Sequence, residues 1–440
     1  MLSSKSWLKR SSRGTFVAGI ALVGMTFACP ALMSTARSQS SEIVFASNLD
    51  PNNKSDPRSA AQTRIIEVFE RENPQIKVKV QVDPASTATL RAIKSKSATP
   101  DVFKMIGYGI PESVATGNVE ALDDYIKRDN IDEKDWLLPL RESAVRGRLY
   151  SLTVDYRIPI LIYRKSLLQK AGVTPPRTWS EVCEAGGKLS KSGVMGYPVG
   201  IGAGAGLGGA QAFAEFQFSS MVTEGGGPYF DAEGKKVLIS EEKFVRAANT
   251  IRDLFTKCGA SPMSSLQFSY NEVHDGLRAG TIGMATFGVY RFGAIAQGGA
   301  GDDLGWAPPP SYEPGGKQTV YGYQIAMNAN SKQKDAVWKF ISFVTSARGQ
   351  TLAMEGGEVV ARSSAYRDSP YMQTAAGKRQ KEWADLVKQR GFSPTYPVNL
   401  TPYNQMLGDA MQRMLLKNAT PEDAYKELIT RYGEAIANEK

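Results

Sequence analysis

Asp155 and Arg157 are the pair whose types and spacing most directly suggest chemistry. In an extended stretch, residues two apart project to one side. An acid and a guanidinium so placed either meet a ligand together or pair with each other, and the spacing leaves both readings open. Little else in the chain has the pattern of a catalyst. The single histidine, His274, stands alone in a helical stretch. That excludes most zinc sites and Ser-His or Cys-His nucleophile pairs, and His274 reads as structural. Gly204-Ala205-Gly206-Leu207-Gly208-Gly209 matches G-x-G-x-x-G ahead of a helix, with Glu224 beyond it. Such a run can mark a dinucleotide site. Its mid-chain position and the exported context argued below speak against one, and no Lys-Ser/Thr follows it for a phosphate loop. The better reading is a loop whose glycines let backbone approach a ligand closely, in front of a helix N-terminus. No catalytic residue, metal ligand set or cofactor is expected.

The first residues read as an export signal. Lys5, Lys9, Arg10 and Arg13 precede an apolar run, Gly14 to Cys29, and Ser34-Thr35-Ala36 offers small residues for cleavage near Ala36. The run is short of the roughly 20 residues that span a bilayer. Thr26-Phe27-Ala28-Cys29 resembles a lipoprotein site only poorly, so lipidation at Cys29 is disfavoured. No adjacent arginine pair is present, so export is read as that of the unfolded chain, which argues against a cofactor loaded in the cytoplasm. Removing residues 1–36 takes four of 53 basic residues and none of 44 acidic ones, leaving a net charge of about +5. No dense basic cluster exists, and nucleic acid is not an expected partner. Cys183 and Cys258 remain. An oxidising compartment permits a disulfide, but sequence does not supply the Cα separation, so a bridge and two buried thiols both stay open.

The elements that must position these residues are legible in part. Residues 42–47 read as a buried strand, 63–73 as a helix ended by Asn73-Pro74, and Ile76 to Val82 alternates as a half-exposed strand. A helix over 87–98 and a strand from Pro100 complete a strand-helix-strand-helix-strand order, which means parallel α/β. A further helix is expected within 111–128. Pro159, in Ile158-Pro159-Ile160-Leu161-Ile162-Tyr163, suggests a strand edge or crossover rather than a central strand. Helices are expected over 166–171, 179–190, 210–223 and 241–257, a pair over 332–354, and two more at 402–416 and 421–437. Thr178 caps the helix from Trp179, with Glu181 completing a capping box. Thr420, Pro421 and Asp423 start the last helix. At 440 residues the chain exceeds a single core, so two lobes are the default.

Several phrases, in order, resemble the family 1 extracellular solute-binding proteins, the group that includes maltose-binding protein. They are Ser41 to Phe45 with Phe69 to Pro74 and Ile76 to Val78; Pro100-Asp101-Val102 with Gly117 to Leu122; and Ile162 to Leu168, Ala171-Gly172-Val173 and Pro175 to Val182. Gly225-Gly226 with Asp231 to Lys235, Leu277 to Met284, and Lys334 to Phe343 with Gly349-Gln350 complete them. The resemblance implies an α/β, two-lobed periplasmic-binding-protein fold with an interlobe ligand cleft and three hinge crossings. Lobe one would hold residues 40–153 and 320–366, and lobe two residues 156–317 and 367–440. It also implies a periplasmic receptor, acting as a monomer, that captures a carbohydrate for inner-membrane ABC permease subunits.

The resemblance places the ligand beyond the carboxyl ends of strands. Aromatic faces and planar polar groups there would hold a sugar. Asn48 and Asp50 follow the first strand, where a solvated turn is the equal alternative. Tyr108 follows the strand from Asp101, but Gly107 and Gly109 replace the acid expected beside it, which departs from a maltose site. Asp101 itself suits backbone donors. Where relatives tend to place an acid, Arg157 stands instead, which would suit a carboxylate-bearing sugar. Tyr290 is the leading stacking candidate, with Arg291 beside it, and Tyr323 and Tyr403 are further contacts. Buried core is the competing reading for each tyrosine. Gly356-Gly357-Glu358 and Arg362 lie in a loop that such proteins bring to the cleft rim. The competing functions are an exported enzyme acting on acidic polysaccharide and a binder of a non-sugar solute on the same fold.

Overall fold

The computed structural model describes residues 40–202, 208–367, 369–398 and 400–438. The expected leader, its cleavage point near Ala36, and Cys29 fall outside these residues, as do Gly204 to Leu207 of the glycine run. The strands are β1 (Ser41–Ser47), β2 (Ile76–Val82), β3 (Val102–Ile106), β4 (Ser151–Thr153), β5 (Asp155–Tyr156) and β6 (Pro159–Arg164). They continue with β7 (Met284–Gly288), β8 (Leu304–Ala307), β9 (Gln318–Thr319), β10 (Tyr323–Met327), β11 (Val359–Val360) and β12 (Gly391–Phe392).

One sheet has the order β2-β1-β3-β10-β4. Its first three strands are parallel, as the alternation of helices and strands requires, while β10 joins antiparallel to β3 and β4. Asp101 closes the strand ends: its carboxylate accepts from Val44 N at 2.8 Å and from Ser331 Oγ at 2.6 Å. That is the backbone-satisfying role expected of it. The second sheet, β7-β6-β8, is wholly antiparallel. Pro159 is therefore not on an edge strand: β6 is central. The proline is tolerated because it is the first residue of its strand.

The caps follow local chemistry. Asp56 accepts from Arg58 N to start the helix Pro57–Glu72, and Thr420 and Asp423 form a reciprocal capping box on Pro421–Ala437. Thr178 accepts from Glu181 N, but Glu181 returns its bond to Arg177 N, one residue before the cap. Trp179 is buried with Tyr197, Phe244 and Tyr403 in one hydrophobic cluster, while Phe45, Phe69 and Trp338 belong to another. The region 111–128 holds two short helices, Gly109–Ala115 and Asp123–Arg128. The helices Arg291–Ile295 and Ala375–Arg390 had no counterpart in the sequence reading; the longer is capped by Thr374 accepting from Gly377 N.

Cys183 and Cys258 form a disulfide with Cα atoms 5.3 Å apart, inside the bridging range. The two are 75 residues apart in sequence, so the bridge restricts a long loop in the unfolded chain. Reduction is expected to lower stability by about 2–4 kcal/mol, chiefly because it frees that loop in the unfolded chain. Urea unfolding with and without reductant measures this, and coincident midpoints would contradict it.

Candidate functional site

Register builds the charged centre of the molecule. β11 runs antiparallel to β5, with Val360 opposite Asp155 and Val359 opposite Tyr156. The next step along both strands brings Glu358 across from Arg157, 201 residues away in sequence. Arg157 Nη2 lies 3.4 Å from Glu358 Oε1, and Arg157 Nε lies 3.5 Å from Asp155 Oδ1. The guanidinium is sandwiched between Tyr290 and Tyr323, at 4.3 and 4.4 Å from the ring centroids. Lys104 adds a second cation, 4.0 Å from Glu358 and over the Tyr323 ring. Burial, with Glu358 nearby, pushes Asp155 up to about 6 against the pull of Arg157 and Lys104. Burial also raises Glu358, but Lys104, Arg157 and Arg58 outweigh it and hold that carboxyl below its ordinary value.

Beside this centre lies a cavity of about 490 Å³, within the roughly 300–1,000 Å³ typical of small-molecule sites. Four segments wall it: 55–58, 355–357, 289–297 after β7, and the helix Ala375–Arg390 with Tyr371 just before it. Gly357 takes a positive φ of 86°, and a Cβ on Gly356 would come within 3.1 Å of the Arg58 Cα, so glycine lets this loop press against the helix from Pro57. Tyr290 receives a hydrogen bond from the Tyr270 hydroxyl at 2.8 Å, and Arg291 Nε donates to that same hydroxyl at 2.9 Å. Arg58 is held by Asp56 through two bonds, Nε at 3.0 Å and Nη2 at 2.7 Å. Gln380 and Trp383 are 2% and 3% exposed, yet Gln380 Oε1 and Trp383 Nε1 have no hydrogen-bond partner. Buried polar atoms are rarely left so.

Of the residues singled out from sequence, Tyr290 and Arg291 line this cavity, together with Gly356 and Gly357 of the rim loop. The others stand outside it. Asp155 and Arg157 do share a side, but they pair internally, and Arg157 is enclosed by two tyrosines and two carboxylates. Tyr323 is the floor of that sandwich. Tyr108 accepts from Gln211, whose amide also donates to Glu215, and its ring meets Tyr396 edge-on. Asp50 accepts from Asn52 N in a local turn, the alternative weighed for it; Asn48 sits beside it with its Oδ1 buried and unpartnered. Tyr403 is 1% exposed in the hydrophobic cluster, with its hydroxyl 2.7 Å from that of Tyr229. Buried core, the competing reading for this tyrosine, is where packing puts it. Glu224, the acid beyond the glycine run, accepts from Tyr312 N and Glu313 N and is a loop staple. Arg362 is buried against Trp136 and bonds Thr345 O and Asp135.

Sequence reasoning missed Arg58, Arg379, Gln380 and Trp383. A signal existed for Trp383, one of six tryptophans and set in a strongly charged stretch. Among the described residues no group of His, Cys, Asp and Glu could hold a metal ion, and no helix is long and apolar enough to cross a membrane.

The sequence profile of the bacterial extracellular solute-binding protein family matches residues 52–351. The chain belongs to that family. This solute-binding protein is 27% identical over 335 residues to a probable amino-acid ABC transporter periplasmic-binding protein, y4oP, of Sinorhizobium fredii, covering 72% of this chain and 69% of that one. Its fold is that of the GacH receptor of Streptomyces glaucescens, solved unliganded and with acarbose. The TM-score is 0.73 at 22% identity, covering 91% of this chain and 100% of that one. Maltose-bound MalE3 of T. maritima gives a TM-score of 0.71 at 21% identity, over 90% and 99% of the two chains. The two-lobed fold follows, with the role of a periplasmic small-molecule receptor for an ABC permease.

Proposed function

We propose that this solute-binding protein captures a carbohydrate in the 490 Å³ cavity and presents it to its permease. The observation that carries this is the pairing of Tyr290 and Trp383 on one cavity with unpartnered Gln380 Oε1 and Trp383 Nε1. Aromatic faces take the apolar faces of a sugar ring, and the amide and indole N–H suit its hydroxyls. Acarbose in GacH and maltose in MalE3 are ligands of the same chemistry on the same fold. With lobes of residues 40–153 and 320–366 and of 156–317 and 367–440, the walls would come from both, and closure of one lobe against the other would enclose the ligand. The leader expected over residues 1–36 would carry the chain to the periplasm.

A carbohydrate at 100 times its Kd is expected to stabilise the folded protein by about 2.7 kcal/mol. Tyr290→Ala is expected to weaken that binding about tenfold, in line with the loss of one stacked ring. Thermal shift against a broad carbohydrate panel, with calorimetry on any hit, tests both. The amino-acid relative supplies the competing reading: shifts with amino acids and none with any sugar would replace carbohydrate by amino acid.

A further inference from the structure

Three arginines and two acids line the cavity, and their pairing decides its charge. Asp56 is bidentate on Arg58, and Glu355 is paired with Arg64 at 2.5 Å. Both acids are thereby neutralised. Arg291 and Arg379 form no ion pair among the described residues, so the cavity keeps two positive charges. Each guanidinium is fixed by aromatic rings rather than by a carboxylate. Arg291 lies 4.3 Å from the Tyr270 centroid and 5.8 Å from that of Tyr290. Arg379 lies 4.8 Å from Phe292 and 5.5 Å from Trp383. Arg379 Nε is buried with no partner. One turn further along the same helix lies Trp383, whose Nε1 is a second unpartnered donor, and Gln380 Oε1 beside them is an unpartnered acceptor.

We propose that the ligand is an anionic polyol, with its acid group held by Arg291 and Arg379 and its hydroxyls by Gln380 and Trp383. The inference rests on the reading of this cavity as the solute site. Two like charges facing one cavity repel, and an anion between them relieves that repulsion. A stacked guanidinium keeps its fork of donors aligned, and that fork matches the paired oxygens of a carboxylate or a phosphate. Solvated surface arginines are the bland alternative. They do not account for a helix that carries three unpartnered polar atoms on one face, two of them in residues almost fully buried. Arg157, the arginine that sequence put forward for an acid group, is already engaged by Asp155 and Glu358.

Calorimetry on the full processed chain decides this with matched pairs. Galactose is set against galacturonate and glucose against glucose 6-phosphate, with glutamate and inorganic phosphate as anions that are not sugars. The acid of at least one pair is expected to bind at least about tenfold tighter than its neutral partner, and to weaken with added salt. Which pair responds separates carboxylate from phosphoryl recognition. Arg379→Gln and Arg291→Gln are each expected to reduce the acid-to-neutral ratio by about tenfold, and Arg379→Lys should fail to restore it fully. Arg71→Gln, on an exposed helix end, is the control. Neutral sugars that bind as well as acidic ones, or ratios unmoved by both variants, overturn the anionic ligand and leave carbohydrate capture standing. Arginine-dependent binding of glutamate or phosphate with no sugar bound supports the anion site and overturns the carbohydrate. Binding of none of these probes overturns the anionic polyol and leaves carbohydrate capture to be decided by the broad panel.

Discussion

Arg157→Met is expected to destabilise the folded protein by about 3–5 kcal/mol, the range for removing one partner of a buried ion pair. Asp155, Arg157 and Glu358 are 1%, 8% and 9% exposed. Without the guanidinium, two carboxylates remain buried side by side, with Lys104, 4.0 Å from Glu358, and Arg58 as the remaining cations acting on Glu358. The two rings that enclose Arg157 also lose a cation, and such contacts contribute on the order of 1–2 kcal/mol when desolvated. The loss should depend on pH. Asp155 already holds its proton up to about 6, above its ordinary 3.8. A raised folded value for an acid means that stability falls as pH rises through the window between the unfolded and folded values. Removing Arg157 lifts Asp155 further, so the deficit of the variant should be smaller at pH 5 than at pH 8. Urea unfolding at both pH values measures this. Asp155→Asn added to Arg157→Met should recover part of the loss at pH 8. A deficit below 1 kcal/mol at pH 8, or one independent of pH, would show that the cluster is better solvated than its burial implies.

Glu215→Gln is expected to do the reverse and stabilise the protein by about 3 kcal/mol at pH 8. Glu215 sits on the irregular helical turn Ala214–Phe218, 4% exposed, with one side-chain bond from Gln211 at 2.7 Å. Burial pushes its carboxyl up to about 7, although Gln211 and Arg157 favour the charged form. In the unfolded chain it ionises near 4.5. Between those values the folded state holds a proton that the unfolded state has released, so stability falls as pH rises from about 4.5 to about 7 and is then flat. At 1.36 kcal/mol for each tenfold change in proton affinity, the loss above pH 7 is about 3 kcal/mol. A neutral amide of the same shape escapes it and still accepts from Gln211. The variant should therefore match the wild type near pH 4 and exceed it at pH 8. Equal stability at both values would mean that Glu215 is ionised in the fold with help not visible in its surroundings.

Much of this chain is legible locally. Alternation from Ile76 to Val82, the caps at Thr178 and Thr420, and the proline stops after the first helix each follow from residues within one turn of one another. The order of these phrases is enough to place the chain among solute-binding proteins, because each phrase records a local packing rule of that fold. The cavity is written differently. The helix Ala375–Arg390 escaped notice because its first half turns Gly377 and Gln380 inward, so it lacks an apolar stripe there. A helix face that lines a cavity with polar side chains carries no hydrophobic period.

Partners distant in sequence were equally hidden. Asp155 and Arg157 suggested either a ligand pair or an internal pair, and only the register of β11 against β5 supplied Glu358 and decided for the internal one. Buried core competed with ligand contact for both Tyr290 and Tyr403, and packing alone sent Tyr403 to the core and Tyr290 to the cavity wall. Cys183 and Cys258 became a bridge when the fold set their Cα atoms 5.3 Å apart. Sequence by itself determined most of the elements, the family and the chemistry available, since these depend on near neighbours along the chain. Tertiary structure decided which arginine is neutralised and which lines the cavity without a carboxylate partner, because charge balance in a cavity is a sum over groups that only folding brings together.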